Sequence, residues 1–310
     1  MHLIKKWSGL ALILVVTGCT VLPQMDMPIC QENCAPFGVA TAVGRISNTE
    51  IDEASGMAGS IRHPGVLWVH NDSGGAARLF AISHTGKTLG QVRFPGLRNL
   101  DWEDVTSFRF DGKPYLAIAD IGDNFAVRKA PSIHIVEEPD FGKPAPRAQV
   151  AWSIPYEYED GARDCESIAI DVENERVLLL TKRDVLPVLY ELPLRPSGRK
   201  SVARRLVEVP LPQPSDELKR IKNRKGLYSA QPTAMDISDD GTQAAVLTYR
   251  NAYFFAREED SSWEQAFTRA PKVIALPPMD SGEALAFATS GEIFVTAERH
   301  PAPLVRVQPR

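Results

Sequence analysis

The chain has 310 residues, with 39 acidic against 35 basic side chains and a formal net charge of −4. That balance excludes nucleic acid as a bulk partner. The 24 prolines and 21 glycines suit a turn-rich β protein rather than a helical one.

Residues 1–18 carry a basic start (Lys5, Lys6), an apolar run from Leu10 to Val16, then Thr17-Gly18-Cys19. This is a secretory signal by charge, length and small-residue cleavage site, and the run is too short to span a bilayer. The Val16-Thr17-Gly18-Cys19 ending resembles the bacterial lipobox, which implies cleavage before Cys19 and its lipidation. Thr20 rather than Asp follows, and by resemblance to other lipoproteins this implies a membrane anchor on the periplasmic side of the outer membrane. Residues 19–38 read as a tether, in which Cys30 and Cys34 are placed to form a small disulfide loop in an oxidising compartment. Cys165 is left over and reads as a buried small apolar residue.

From residue 39 to 310 the chain repeats itself. A short phrase recurs as Ser55-Gly56-Met57-Ala58, Glu103-Asp104-Val105-Thr106, Glu166-Ser167-Ile168-Ala169, Thr233-Ala234-Met235-Asp236 and Glu283-Ala284-Leu285-Ala286. About fifteen residues after each phrase begins, an apolar strand runs into polar residues, as in Leu67–Asp72, Leu116–Asp120, Leu178–Arg183, Ala245–Arg250 and Ile293–Glu298. Recurrence of a strand-rich unit at this spacing predicts one all-β domain, a β-propeller. The strands fill five blades: 55–94, 103–154, 166–209, 233–276 and 283–307. A sixth blade would need an unrecognised unit around 200–232. The last blade stops one strand short and Ala40–Ser47 is spare, so an N-terminal strand is expected to close the ring against Leu304–Val307. Asp239-Asp240-Gly241 and Thr289-Ser290-Gly291 mark tight turns.

Antiparallel pairing puts the start of strand one and the end of strand two on one face. Carboxylates crowd there, and hard oxygen ligands suit calcium. Glu103, Asp104, Asp120, Asp123 and Glu166 are the expected cation ligands, with Asp72 and Glu283 in support, unless Lys182 and Arg183 neutralise the ring without a metal. Lys182, Arg183, Arg250 and Arg299 end second strands, and Lys222 and Arg224 lie in a basic stretch from Pro214 to Ala230. These six would suit a small anionic ligand. His70 and His300 are the candidate general bases. No nucleophile elbow, zinc-protease helix or phosphate-binding loop is present.

Asn71-Asp72-Ser73-Gly74, Asp101-Trp102-Glu103-Asp104, Asp120-Ile121-Gly122-Asp123-Asn124, Arg163–Ser167, Thr181-Lys182 and Gly282-Glu283-Ala284 resemble motifs of an uncharacterised family of bacterial secreted β-propellers, itself similar to the phytase-like and TolB-like propellers. The resemblance runs from about residue 45 to 308 and implies the propeller fold. Thr233 stands where that family usually has Glu, which breaks a fully acidic ring. Two functions are compatible with one polar, cation-binding face: a membrane-anchored propeller that binds a ligand or periplasmic protein, or a calcium-dependent hydrolase of phosphate esters.

Overall fold

The computed structural model describes residues 35–143, 146–212, 230–277, 279 and 281–310. The leader, Cys19, Cys30, Cys34, Lys222 and Arg224 lie outside them. Four consecutive strands make the first blade: β2 (Ala54–Gly59), β3 (Val66–Asn71), β4 (Arg78–Ser83) and β5 (Thr88–Arg93). The second comprises β6 (Trp102–Phe110), β7 (Lys113–Asp120), β8 (Ser132–Glu137) and β9 (Val150–Tyr158). The third comprises β10 (Cys165–Asp171), β11 (Arg176–Thr181), β12 (Val188–Pro193) and β13 (Ser201–Glu208). The fourth has β14 (Pro232–Ile237), β15 (Gln243–Thr248), β16 (Ala252–Ala256) and β17 (Lys272–Ile274). A six-residue helix, α1 (Trp263–Thr268), is inserted before β17.

The fifth blade is closed by the start of the chain. β18 (Gly282–Phe287), β19 (Ile293–Ala297) and β20 (Ala302–Val307) are completed by β1 (Thr41–Ile46), antiparallel to β20 with Thr41 opposite Arg306 and Ile46 opposite Ala302. The residues before β1 reach further. Ala35 donates its N–H to Val273 of the fourth blade, Phe37 bridges to Pro309, and the Phe37 ring lies edge-on to Phe254 at 5.5 Å. This N-terminal strap therefore ties two blades together.

The first strands β2, β6, β10, β14 and β18 stand side by side in a ring, with β18 returning against β2. Five blades thus close the propeller. Each blade packs on both faces, so strands such as β3 and β11 are buried along nearly their whole length. The core is divided accordingly into five apolar clusters, one between each pair of neighbouring blades. Gly241 and Gly291 take the positive φ, 66° and 82°, that their turns demand. A second tie joins the outer strands of blades two and three, where β13 pairs in parallel with the end of β9.

First strands have no sheet neighbour on the axis, so some of their N–H groups need other acceptors. Two buried aspartates supply them. Asp104 accepts from the N–H groups of Val105 (2.9 Å), Ile168 (3.0 Å) and Met235 (3.4 Å), drawing three blades together. Asp236 accepts from Ile237 (3.0 Å), Phe287 (2.8 Å) and the Thr106 hydroxyl (2.7 Å). Burial pushes both carboxyls up, Asp236 to about 7.

Candidate functional site

In every blade the pairing of strands one and two slips by one residue at the same place. The residue skipped is Ser55, Glu103, Glu166, Thr233 or Glu283, the first residue of each repeated phrase. Such a bulge re-aims its side chain out of the strand's alternation. Four of these five side chains line one cavity of about 170 Å³ at the channel mouth. A second position repeats with them, the residue just after strand two. Asp72, Lys182, Tyr249 and Glu298 occupy it on the cavity wall, while blade two has the buried Ile121. In four blades the N–H of that residue donates to the carbonyl two places before the bulge: Asp72 to Glu53, Ile121 to Asp101, Lys182 to Asp164 and Glu298 to Ser281. Three of those acceptor residues are acidic.

The two bulges without a carboxylate stitch blades together instead. The Ser55 hydroxyl donates to the Glu103 carbonyl at 3.0 Å, and Thr233 to the Gly282 carbonyl at 2.8 Å.

Six carboxylates on the wall face two cations. Both cations are engaged: Lys182 binds Glu166 and lies 4.8 Å from the Tyr249 ring centre, while Arg183 binds Asp164 and Asn124. Burial pushes Glu166 up against the pull of Lys182, and the neighbouring carboxylates hold Lys182 firmly charged.

Glu103 is different. It is 5% exposed, yet its carboxylate has no hydrogen-bond or ion-pair partner among the described residues. Glu138, by contrast, shows what a structural buried carboxylate requires: donors from the Ser60 hydroxyl, the N–H groups of Ile61 (3.1 Å) and Arg62 (2.8 Å), and Trp68 Nε1 (2.8 Å). Carboxylate oxygens of Asp72, Asp101 and Glu103 lie within 4.8 Å of one another. Burial, with repulsion from Glu166, Asp72 and Asp101, pushes Glu103 well above its ordinary range. Burial and Asp72 push Asp101 up to about 6, and burial also raises Asp72, Glu283 and Glu53. Gly122 makes the cradle. A Cβ there would lie 2.1 Å from Glu103 Oε1 and 2.4 Å from Asp101 Oδ2, so any other residue would push the carboxylates aside.

The structure brings together Glu103, Glu166, Asp72 and Glu283 of the expected ligands, with Lys182 and Arg183 beside them. Asp104, Asp120 and Asp123 are off the wall and satisfied within the protein. Asp104 serves the channel, and Asp120 binds Arg128. Asp123 caps its own loop by accepting from Val127 (2.9 Å) and Arg128 (2.6 Å). Arg250 and Arg299 are exposed and outside the cavity wall. His70 is fully buried with Nδ1 3.0 Å from the Asn71 carbonyl, and burial pushes it down to about 4, so it stays neutral. His300 is exposed and away from the wall. Cys165 is buried and unpaired, its thiol pushed up to about 12 by burial.

Asp101, Glu53, Glu298 and Tyr249 were not expected as site residues. Their signal was positional, two residues before the bulge or one after strand two, rather than a motif.

No protein-family model matches the chain, and no curated protein matches it. Among solved structures it is similar to the PQQ-bound aldose sugar dehydrogenase of Streptomyces coelicolor, at 10% identity and a TM-score of 0.44, over 89% of this chain and 99% of that one. It is also similar to a luciferin-regenerating enzyme at 9% identity and 0.41, over 85% of this chain and 94% of that one. A nidogen/laminin complex matches at 12% identity and 0.41, over 80% of this chain and 73% of that one. The five-bladed assignment stands on the strand pairing itself.

Proposed function

We propose that this chain is a membrane-anchored periplasmic propeller that binds a ligand or protein partner on its polar face, around a calcium ion held by Asp72, Asp101 and Glu103. The observation that carries this reading is the buried, unpartnered carboxylate of Glu103 beside two others. Burying carboxylates together is costly unless a cation neutralises them, and the two basic residues on the wall are already paired. The donors are hard carboxylate oxygens, as calcium requires. Bound calcium would supply a concentrated positive charge for a ligand's oxygens. Glu166 and Tyr249 hold Lys182 at the adjoining wall, where its ammonium can meet an anionic group. Neither histidine weighed as a general base reaches the cavity wall, so binding is preferred over ester hydrolysis.

Calcium should raise the melting temperature at neutral pH, by the equivalent of about 2.7 kcal/mol at a hundred times Kd. Glu103→Gln should abolish that gain while raising the melting temperature of the cation-free protein, because it removes an uncompensated buried charge. Melting that is indifferent to both calcium and chelator would sink the reading. For the anchor, mass spectrometry of the native protein should show an acylated Cys19; an unmodified mature terminus elsewhere would refute it.

A further inference from the structure

Eight large apolar side chains are exposed among the described residues, and four of them lie on loops of the polar face, two of which also carry the cavity-wall residues Asn124 and Arg183. Leu100, Phe125, Val127 and Val185 are 57, 86, 72 and 89% exposed. They sit on three loops of the polar face, bonded to one another in succession. The N–H groups of Ile121 and Gly122 donate to the Asp101 carbonyl at 3.1 and 3.2 Å. Asp123 donates its N–H to Asp164 at 3.1 Å, and Arg183 binds Asn124. Arg163 fixes the third loop through Asp184 at 2.7 Å. The middle loop is also held internally: Ala126, at a left-handed φ of 52°, donates to the Asp123 carbonyl at 2.8 Å. Phe125 and Val127 are thus held in water by an ordered scaffold, which lowers the entropy cost of docking against them.

Below this apolar rim the wall is acidic. With Asp72, Asp101 and Glu103 assigned to a cation, Glu53, Glu283 and Glu298 remain on the cavity wall, and Glu283 has no hydrogen-bond or ion-pair partner among the described residues. We propose that the polar face docks a protein segment that places a lysine or arginine side chain against Glu53, Glu283 and Glu298 and lays flanking apolar residues on Leu100, Phe125, Val127 and Val185. This rests on the reading of the face as a binding surface, but not on calcium. Charge complementarity selects this occupant: a long basic side chain carries its charge into the cavity while its stem and neighbours cover the rim. An anionic bilayer surface would meet the same carboxylates with like charge.

The test is selection of a phage-displayed random peptide library on the full-length protein, followed by affinity measurement with the synthetic peptide, with calcium and with chelator. Selection should enrich peptides in which a lysine or arginine is flanked by apolar residues. Affinity should fall at least tenfold with the triple change Phe125→Ser, Val127→Ser and Val185→Ser, with Glu283→Gln, and when norleucine replaces the peptide's basic residue. The rim changes replace exposed side chains, so a melting temperature unchanged from wild type, measured in chelator, reports that the fold persists. Enriched peptides without a basic residue would overturn the proposal, as would equal affinity for the variants. So would a lack of enrichment, including the case where phosphatidylethanolamine–phosphatidylglycerol vesicles bind the wild type and not the rim variant. Peptide binding that persists in chelator, with no calcium effect on melting, would sustain this proposal while removing the calcium reading.

Discussion

Glu103 and Asp104 are adjacent in the chain and serve opposite ends. The bulge in β6 turns Glu103 toward the cavity, and Asp104 then resumes the alternation and faces the channel, where backbone N–H groups satisfy it. A one-residue slip in pairing exchanges the faces of a strand, so sequence could locate the acidic pair but not divide its labour. Asp120 and Asp123, expected from the sequence as cation ligands, are drawn off for a different reason: Arg128, eight and five residues on, engages both. Lys182 and Glu166 give the sharpest test at this scale, since both side chains are almost wholly buried. Lys182→Met should cost about 3 kcal/mol at neutral pH by stranding a buried carboxylate. The loss should be larger at alkaline pH and level off below about 7, where Glu166 takes a proton in the wild type as well. Adding Glu166→Gln should recover most of it. Urea denaturation reads all three, and a single variant as stable as wild type would contradict the account.

The strands themselves were legible because each is an apolar run cut by Gly, Asp or Pro, and the repeat supplied the same cut five times. Closure by β1 was legible from the missing strand at the other end. Less visible was the reach of the residues before β1, whose hold depends on contacts with the fourth blade rather than on any local pattern. Phe37 is that hold, 3% exposed and edge-on to Phe254. Phe37→Ala should cost about 3 kcal/mol by leaving a cavity between the blades, and urea unfolding would measure it. A cost near zero would mean that the strap does not brace the ring. The parallel tie between β9 and β13 carried no sequence signal, because edge pairing between blades leaves the alternation of both strands unchanged.

For the whole molecule, the channel mouth gathers two positions from a fivefold repeat, so small differences among the copies decide its chemistry. Glu at three bulges makes the site acidic, and Ser and Thr at the others join blades. The same arrangement fixes a pH dependence. Glu103, Glu283 and Asp101 are raised in the folded state, to about 6 for Asp101, so the folded protein holds more protons than the unfolded chain. Their contribution to stability is full below the ordinary carboxylate range and is lost as pH rises through the folded values. Without a cation, melting temperature should therefore climb as pH falls from about 7.5 to about 5.5, and the gain from calcium should shrink over the same interval as protons compete for the oxygens. A scanning-calorimetry series in chelator would show the first trend, and a falling melting temperature would contradict it. The central claim is that Asp72, Asp101 and Glu103 form a cation site, and a crystal grown with calcium tests it most directly. The account predicts ion density about 2.3–2.6 Å from oxygens of all three residues, absent in Glu103→Gln. Density lacking there at saturating calcium, with Glu103 turned onto a protein donor instead, would contradict it.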